Sequence, residues 1–342
     1  MKNSRFLSAE EHWFYAGDLM VSAILMAGYK NKMEVRRYSK IVAEHYGEKF
    51  IETGYLPLRE FKVVINGKEE KKPIIQFTLE KLFASDLIDE IVIVGHQMLL
   101  ERRLGKFIKK FAKPCHLVNQ NSRISPEIIE RFNIIRRKVK YNSIAGNFIK
   151  GYAASKACED KKHALFVASD SPLTPKEFIE QFLMTAQKFQ DQAAIILPAI
   201  LIENPKDKLK RYPLKLQNDT KLDLPGAKDN YGRQGFRLSS AVLANPYLFD
   251  MNTANTAYNL RKALNPNVQL RLFKITRSLG YPNVYSKYFI RKDLSIKEVE
   301  NIVSAFFRGD LKLIPMIGEE STYDYDGTDY EYRMLTKMLR SP

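Results

Sequence analysis

Short apolar runs separated by stretches of helical periodicity organise the first two hundred residues of the chain. Residues 21–27 (VSAILMA) form the first run and end at Gly28; residues 91–95 (IVIVG), 164–168 (ALFVA) and 193–197 (AAIIL) share its character, and residues 116–118 form a shorter one. Runs of this length, apolar without alternation, have the form of strands buried in a parallel sheet. Between them, Ile75, Leu79, Leu82 and Phe83 fall at i, i+4, i+7 and i+8 behind Pro73, which predicts a helix. Leu104, Phe107, Ile108 and Phe111 mark one face of a second helix over residues 100–111, and residues 147–157 predict a third. Thr174, Pro175 and Glu177, ahead of Phe178, Ile179 and Phe182, predict an N-cap, an N1 proline and the N3 partner of a capping box. Strands alternating with helices indicate βαβ units, hence an α/β fold with a mainly parallel sheet.

Elsewhere the pattern changes. Residues 62–66 (KVVIN) read as a strand running into a turn at Gly67, and residues 30–57 form a basic, tyrosine-containing insertion without strand alternation. Periodicity is lost over residues 203–235, where Pro205, Pro213, Pro225 and Gly226 predict a loop or excursion over the sheet. Residues 236–244 (FRLSSAVLA) return as a strand, and residues 246–342 read as mostly helical, notably over 296–307. An acidic segment, 319–331, closes the pattern, with Thr328 and Glu331 spaced as a second capping box. No repeat or low-complexity tract interrupts the chain, so residues 1–342 are expected to form one domain with additions.

Composition narrows the class. A hydrophobic content of 45% with 27% charged residues is that of a folded globular protein. Cys115 and Cys158 lack metal-type spacing and form no disulfide framework, which points to a reducing compartment and buried structural roles. The five histidines, His12, His45, His96, His116 and His163, show no close ligand-type spacing. Neither a nucleophile elbow nor a Walker-type lysine motif occurs, so no covalent intermediate is expected. The first residues lack a signal-type apolar core, and the longest apolar run, residues 193–202, is too short to cross a bilayer and holds Pro198. A cytoplasmic, non-membrane protein is expected.

The net charge of +16 is large for such a protein. Residues 101–140 carry twelve Lys or Arg against three Glu, and the helix over 100–111 would turn its apolar face inward and its basic face outward. A solvated helix face accounts for this pattern; attraction of a polyphosphate substrate, RNA or an anionic membrane are the sharper readings. No aromatic-interleaved RNA-binding signature or zinc finger supports the nucleic-acid branch.

One carboxylate stands out. In ALFVASDSPLTP, residues 164–175, Asp170 lies between the apolar run and the helix start. Ligands of open α/β sheets bind outside the carboxyl ends of strands, where that position falls. Four segments together, over about three quarters of the chain, resemble the nucleotidyltransferase family with the glycosyltransferase-A-like α/β sandwich fold. That family includes the molybdenum-cofactor guanylyl- and cytidylyltransferases and the sugar-phosphate nucleotidyltransferases. VSAILMAGYKN is similar to the opening strand and glycine loop, with Met26, Ala27 and Gly28 fitting the pattern and Tyr29 standing where a second glycine is usual. Residues 62–95 resemble the segment in which a lysine precedes a strand and a Gly-Lys-Pro-like turn opens a helix. The resemblance makes Lys62 or Lys72 the phosphate-binding lysine, although the approach to Lys62 is longer than in the family and Lys68 to Lys71 lengthen the turn. SIAGNFIKGYAASKA is similar to the helix start that faces nucleobase and ribose, through Gly146 and Asn147; an N-cap is the alternative role for Asn147. ASDSPLTP is similar to the signature in which Asp170 binds Mg2+ between the α- and β-phosphates.

Near the end, TYDYDGTDYEYRML resembles a closing segment whose Asp324 and Asp326 would complete the metal site, and GFRLSSAVLANP resembles the strand lining the acceptor pocket, through Arg237, Ser239 and Ser240. The resemblance implies a three-layer α/β/α sandwich with a Rossmann-like nucleotide-binding half. The activity it implies is Mg2+-dependent transfer of a nucleoside monophosphate from a nucleoside triphosphate to a phosphorylated acceptor, with pyrophosphate leaving. A sugar-nucleotide-dependent glycosyltransferase is the second reading, with Asp170 holding a metal on a diphosphate sugar. A non-enzymatic binder of nucleic acid or an acidic surface is the third.

Overall fold

The computed structural model describes residues 20–28, 55–65, 68–202, 213–220, 228–256, 273–325 and 327–340. Its strands are β1 (Val21–Ala27), β2 (Glu60–Ile65), β3 (Lys68–Pro73), β4 (Ile88–Gly95), β5 (Cys115–Asn119), β6 (Ala164–Ala168), β7 (Ile195–Leu201), β8 (Leu214–Gln217), β9 (Arg233–Leu238), β10 (Ala241–Ala244) and β11 (Leu311–Met316). The α-helices are α1 (Ile74–Ala84), α2 (Gln97–Ile108), α3 (Pro126–Arg131), α4 (Ile144–Ala153), α5 (Lys156–Glu159), α6 (Lys176–Ala186), α7 (Ile296–Phe307) and α8 (Asp329–Arg340).

Nine strands make one mixed sheet in the order β5, β4, β1, β6, β10, β7, β9, β8, with β11 on the other edge of β7. β1, β4, β5 and β6 run parallel, as do β7 and β11, whereas β10 is antiparallel to both β6 and β7. The sheet is buried on both faces, which is why its strands lack alternation. Along β1, Ala23, Leu25 and Ala27 point into a core with α1, α2 and α6, through Leu79, Leu104 and Phe182. The intervening Ile24 packs on the opposite side with Ile149 and Tyr152 of α4 and Ile296 of α7. Two apolar layers around one sheet make the expected α/β/α sandwich. A smaller core joins the β2/β3 hairpin to α8, where Phe61, Val63 and Phe77 meet Tyr325 and Leu335.

Several local expectations shift. The helix expected over 147–157 begins at Ile144, because the Ser143 hydroxyl accepts from the Gly146 amide at 3.1 Å, and breaks after Ala153 before α5. Asn147 is therefore inside the first turns and is not an N-cap. The capping box at Thr174 does not form: α6 starts at Lys176, Pro175 occupies the N-cap, and the Thr174 hydroxyl is buried without a hydrogen-bond partner among the described residues. The box at the last helix does form, with Glu331 N–H donating to Thr328 Oγ1 and Thr328 N–H to Glu331 Oε2, both at 3.2 Å. Within 203–235 the chain adds β8 and begins β9, and the single strand expected over 236–244 divides at Ser239 and Ser240 so that β9 pairs with β7 and β10 with β6. The mostly helical segment from residue 246 contains β11. Most of the 30–57 insertion lies outside the described residues. Among the described residues no helix is long and apolar enough to cross a membrane.

The basic stretch is largely a helix face, as the periodicity indicates. Leu100 and Leu104 of α2 are buried while Arg102 and Arg103 are exposed. Lys113 is different, since its ammonium donates to the Leu82 and Ser85 carbonyls at 3.1 and 2.6 Å and ties the segment after α2 to the end of α1.

Candidate functional site

Parallel registry brings four strand ends together. Ala27 of β1 lies opposite Gly95 of β4, Gly95 opposite Asn119 of β5, and Met26 opposite Ala168 of β6. Gly28, Gln120 and Asp170 therefore all leave the sheet at its carboxyl edge. The β6 exit is tied to β1 by Ser169 N–H donating to the Met26 carbonyl at 3.3 Å. Tyr55 closes the neighbouring exits: its hydroxyl donates to the Ala27 carbonyl at 2.5 Å and accepts from His96 N–H at 3.0 Å, and burial pushes its pKa upward.

Gly28 is needed there for space. A Cβ on it would lie 2.6 Å from Asn147 Nδ2 and 3.6 Å from Gln120 Oε1. The glycine loop and the α4 start named by the sequence thus meet. Asn147 is 3% exposed, and its Oδ1 is buried without a hydrogen-bond partner among the described residues. Such an unmet acceptor is rare in a folded interior, where buried polar groups are usually paired. Gly146 is set by close approach as well, because a Cβ would meet the Lys140 carbonyl oxygen and the Tyr141 carbonyl oxygen, the latter at 2.8 Å. Backbone cannot swing aside as a side chain can. Gly146→Ala is expected to lower stability by about 1–3 kcal/mol, the range of overpacked sites. Thermal unfolding measures it; an unchanged midpoint would show that the 140–141 turn yields.

Asp170 is half-buried in the loop after β6, and its carbonyl accepts from Tyr325 N–H at 2.9 Å. That bond brings the segment with Asp324 to the Asp170 loop. Asp324 pairs with Arg237 of β9 at 3.4 Å, so an acceptor-pocket candidate and a metal candidate lie in contact. Ser239 Oγ is occupied, accepting from Ala241 N–H at 3.2 Å, while Ser240 uses its carbonyl to accept from Ala168 N–H at 3.1 Å. Tyr29 and Asp326 lie outside the described residues.

The two candidate lysines separate by strand alternation. Phe61 and Lys72 are cross-strand partners and share a face of the hairpin, with Phe61 buried against Tyr325; Lys62, one residue on, takes the opposite face. Its side chain is 49% exposed and pairs with Glu69 at 3.0 Å. Lys72 is 13% exposed, bound to Glu80 at 2.9 Å and set over the Phe77 ring at 5.0 Å. Of the two, Lys72 is on the side of the hairpin that packs toward the Asp170 loop.

Lys81 of α1 was not signalled by any sequence pattern. Its ammonium donates to the Pro172 carbonyl at 2.5 Å, two residues past Asp170. Burial lowers its pKa to about 8, with Glu80 and Glu177 opposing that effect and Lys72 adding to it. An i, i+2 relation to the periodic Leu79 was the only trace of it, and any surface lysine shares that.

The fold and the strand-end loops together define a three-layer α/β sandwich whose candidate site residues gather at the carboxyl edge of its parallel strands. Among solved structures, the chain is similar to a hypothetical transferase from Thermus thermophilus, with a TM-score of 0.51 and 16% identity over 90% of this chain and 96% of that one. The two share a fold. Overlaps with 4-diphosphocytidyl-2C-methyl-D-erythritol synthase from Anaerococcus prevotii and with CMP:2-keto-3-deoxy-manno-octonic acid synthetase have TM-scores of 0.45 and 0.46 and identities of 12% and 9%, each over 94% of this chain and 98% of the other. No protein-family model and no curated protein sequence matches the chain.

Proposed function

We propose that this chain is a nucleotidyltransferase that moves a nucleoside monophosphate from a nucleoside triphosphate to a phosphorylated acceptor, a sugar phosphate or cofactor phosphate. The observation that carries the reading is the β1/β6 registry, which sets the Gly28 loop beside the Asp170 loop at one sheet edge, with Asn147 against the first and Lys81 on the second. A fold shared with a hypothetical transferase supports it. In the reaction an acceptor phosphate oxygen attacks the α-phosphorus, the bond to the bridging oxygen breaks, and pyrophosphate leaves with that electron pair. The attacking phosphate is already anionic near neutral pH, so positioning and charge neutralisation replace a protein base.

The residues present fit Mg2+. Asp170 and Asp324 supply hard oxygen donors on loops joined by the Tyr325 to Asp170 backbone bond. Mg2+ keeps substrate oxygens and water among its ligands, so two carboxylates are a sufficient protein share. Once bound, Mg2+ would neutralise phosphate charge. Gly28 lets the nucleotide approach the backbone, Asn147 offers its amide, and Lys72 supplies positive charge near the leaving group.

Incubation with each of the four ribonucleoside triphosphates, Mg2+ and a panel of sugar phosphates is expected to release pyrophosphate with one nucleotide. Release of nucleoside diphosphate from a sugar nucleotide instead would replace this reading by glycosyl transfer. Binding of nucleic acid with steep salt dependence, and no stabilisation by any nucleotide, would replace it by the non-enzymatic one.

A further inference from the structure

Lys150 of α4 is 4% exposed, yet among the described residues its ammonium pairs with no carboxylate. Its three N–H bonds go to three backbone carbonyls of one loop: Asn119 at 3.2 Å, Gln120 at 2.5 Å and Ser122 at 3.2 Å. Every donor is used. A cation taken out of water without a counter-ion is a costly device, and a neutral side chain in its place would leave three carbonyls to find new partners. The loop it grips is also pinned from the sheet, by Gln120 N–H donating to the Gly95 carbonyl at 2.8 Å.

The geometry gives the expense a purpose. Lys150 lies three residues after Asn147 and hence on the same face of α4. Asn147 abuts Gly28, and Gln120, from the gripped loop, comes within 3.6 Å of the same place, a Cβ built on Gly28. The loop after β5, the start of α4 and the Gly28 loop so meet at one place on the carboxyl edge of the sheet, and Lys150 bolts the first to the second. We propose that Lys150 is a positioning residue that sets the width of the nucleotide cleft by holding residues 119–122 against α4. This rests on the nucleotidyl-transfer reading.

Two consequences follow. Lys150 touches no reacting group, so its loss weakens nucleotide binding more than it slows the bound complex. Loss of its proton leaves two donors for three carbonyls and turns a lone pair toward one of them. Burial alone lowers its pKa, to about 8. Of the charged groups on packed elements, Glu90 of β4 accepts from the Lys156 amide, Asp89 pairs with the Lys156 ammonium, and Arg131 of α3 meets Cys158. Nucleotide affinity is therefore expected to fall between pH 7 and pH 9.

The test compares wild type and Lys150→Met by nucleotide titration with Mg2+ at pH 7, 8 and 9, alongside hydrogen exchange of the 119–122 amides. The expected result is a loosened loop, a tenfold or greater loss of affinity at pH 7 with the rate at saturation kept within about threefold, and a smaller pH dependence in the variant. The slope left in Lys150→Met belongs to other groups. Should the variant not fold, the wild-type series decides: affinity and loop protection that stay flat from pH 7 to pH 9 overturn the proposal. So does a folded Lys150→Met that binds nucleotide as wild type does. Wild type that binds no nucleotide at any pH overturns the nucleotidyl-transfer reading itself, and this proposal with it.

Discussion

Asp170→Asn is expected to reduce pyrophosphate release by at least about a hundredfold, the scale for losing one preorganised electrostatic contact to the reacting groups. It should also abolish the added thermal stability that nucleoside triphosphate and Mg2+ confer on wild type. The substitution keeps the size of the side chain and leaves the Asp170 carbonyl to accept from Tyr325 N–H, so the loop retains its link to the segment around Asp324. What it removes is a formal charge at the carboxyl edge of β6. An amide oxygen is a weaker ligand for a hard divalent ion and does not offset the charge of the ion. The melting temperature without nucleotide is expected to stay close to wild type, and this separates a lost metal ligand from a damaged fold. A variant with wild-type turnover would remove Asp170 from the site and the metal assignment with it.

The sheet was legible because its strands carry the simplest of signals. Residues 21–27, 91–95 and 164–168 are buried on both sides and so are almost entirely apolar, and the helices between them repeat at the helical period. The positions of Gly28, Asn147 and Asp170 in the fold were legible for a related reason: each follows a strand or lies near a helix start, where short motifs survive as local sequence. The division at Ser239 and Ser240 was not, because FRLSSAVLA is one continuous β-compatible run and only pairing with β7 on one side and β6 on the other splits it. β11 was hidden similarly, its place set by a partner more than a hundred residues earlier. The choice between Lys62 and Lys72 needed hairpin register, which decides faces but leaves no mark on composition. Lys81 and Lys150 show the limit most clearly. Each is an ordinary lysine on an amphipathic helix in sequence, and each becomes particular only through carbonyls brought to it by a distant loop.

Lys81→Met is expected to lower the rate at saturating nucleotide about ten- to hundredfold at pH 7, in line with the contribution of a single positioned electrostatic group. Its hydrogen bond to the Pro172 carbonyl holds the backbone two residues beyond Asp170. Its charge acts as well: Lys72, which pairs with Glu80 at 2.9 Å, still lowers the Lys81 pKa, so Lys81 is a second cation beside the loop. Methionine fills comparable volume and loses both effects. The pH dependence has a definite sign in each assay. With a folded pKa near 8 and an ordinary value of 10.5, the unfolded chain binds more protons between those two pH values. Stability without nucleotide should therefore rise with pH across that window in wild type, relative to Lys81→Met. Turnover should move the opposite way, falling above about pH 8 as the ammonium loses its proton, though bound phosphates will hold that proton and carry the midpoint upward. Measuring the rate at saturation isolates Lys81 from the affinity effect assigned to Lys150. If Lys81→Met keeps the wild-type alkaline limb, another group sets it, and Lys81 serves only to fasten α1 to the Asp170 loop.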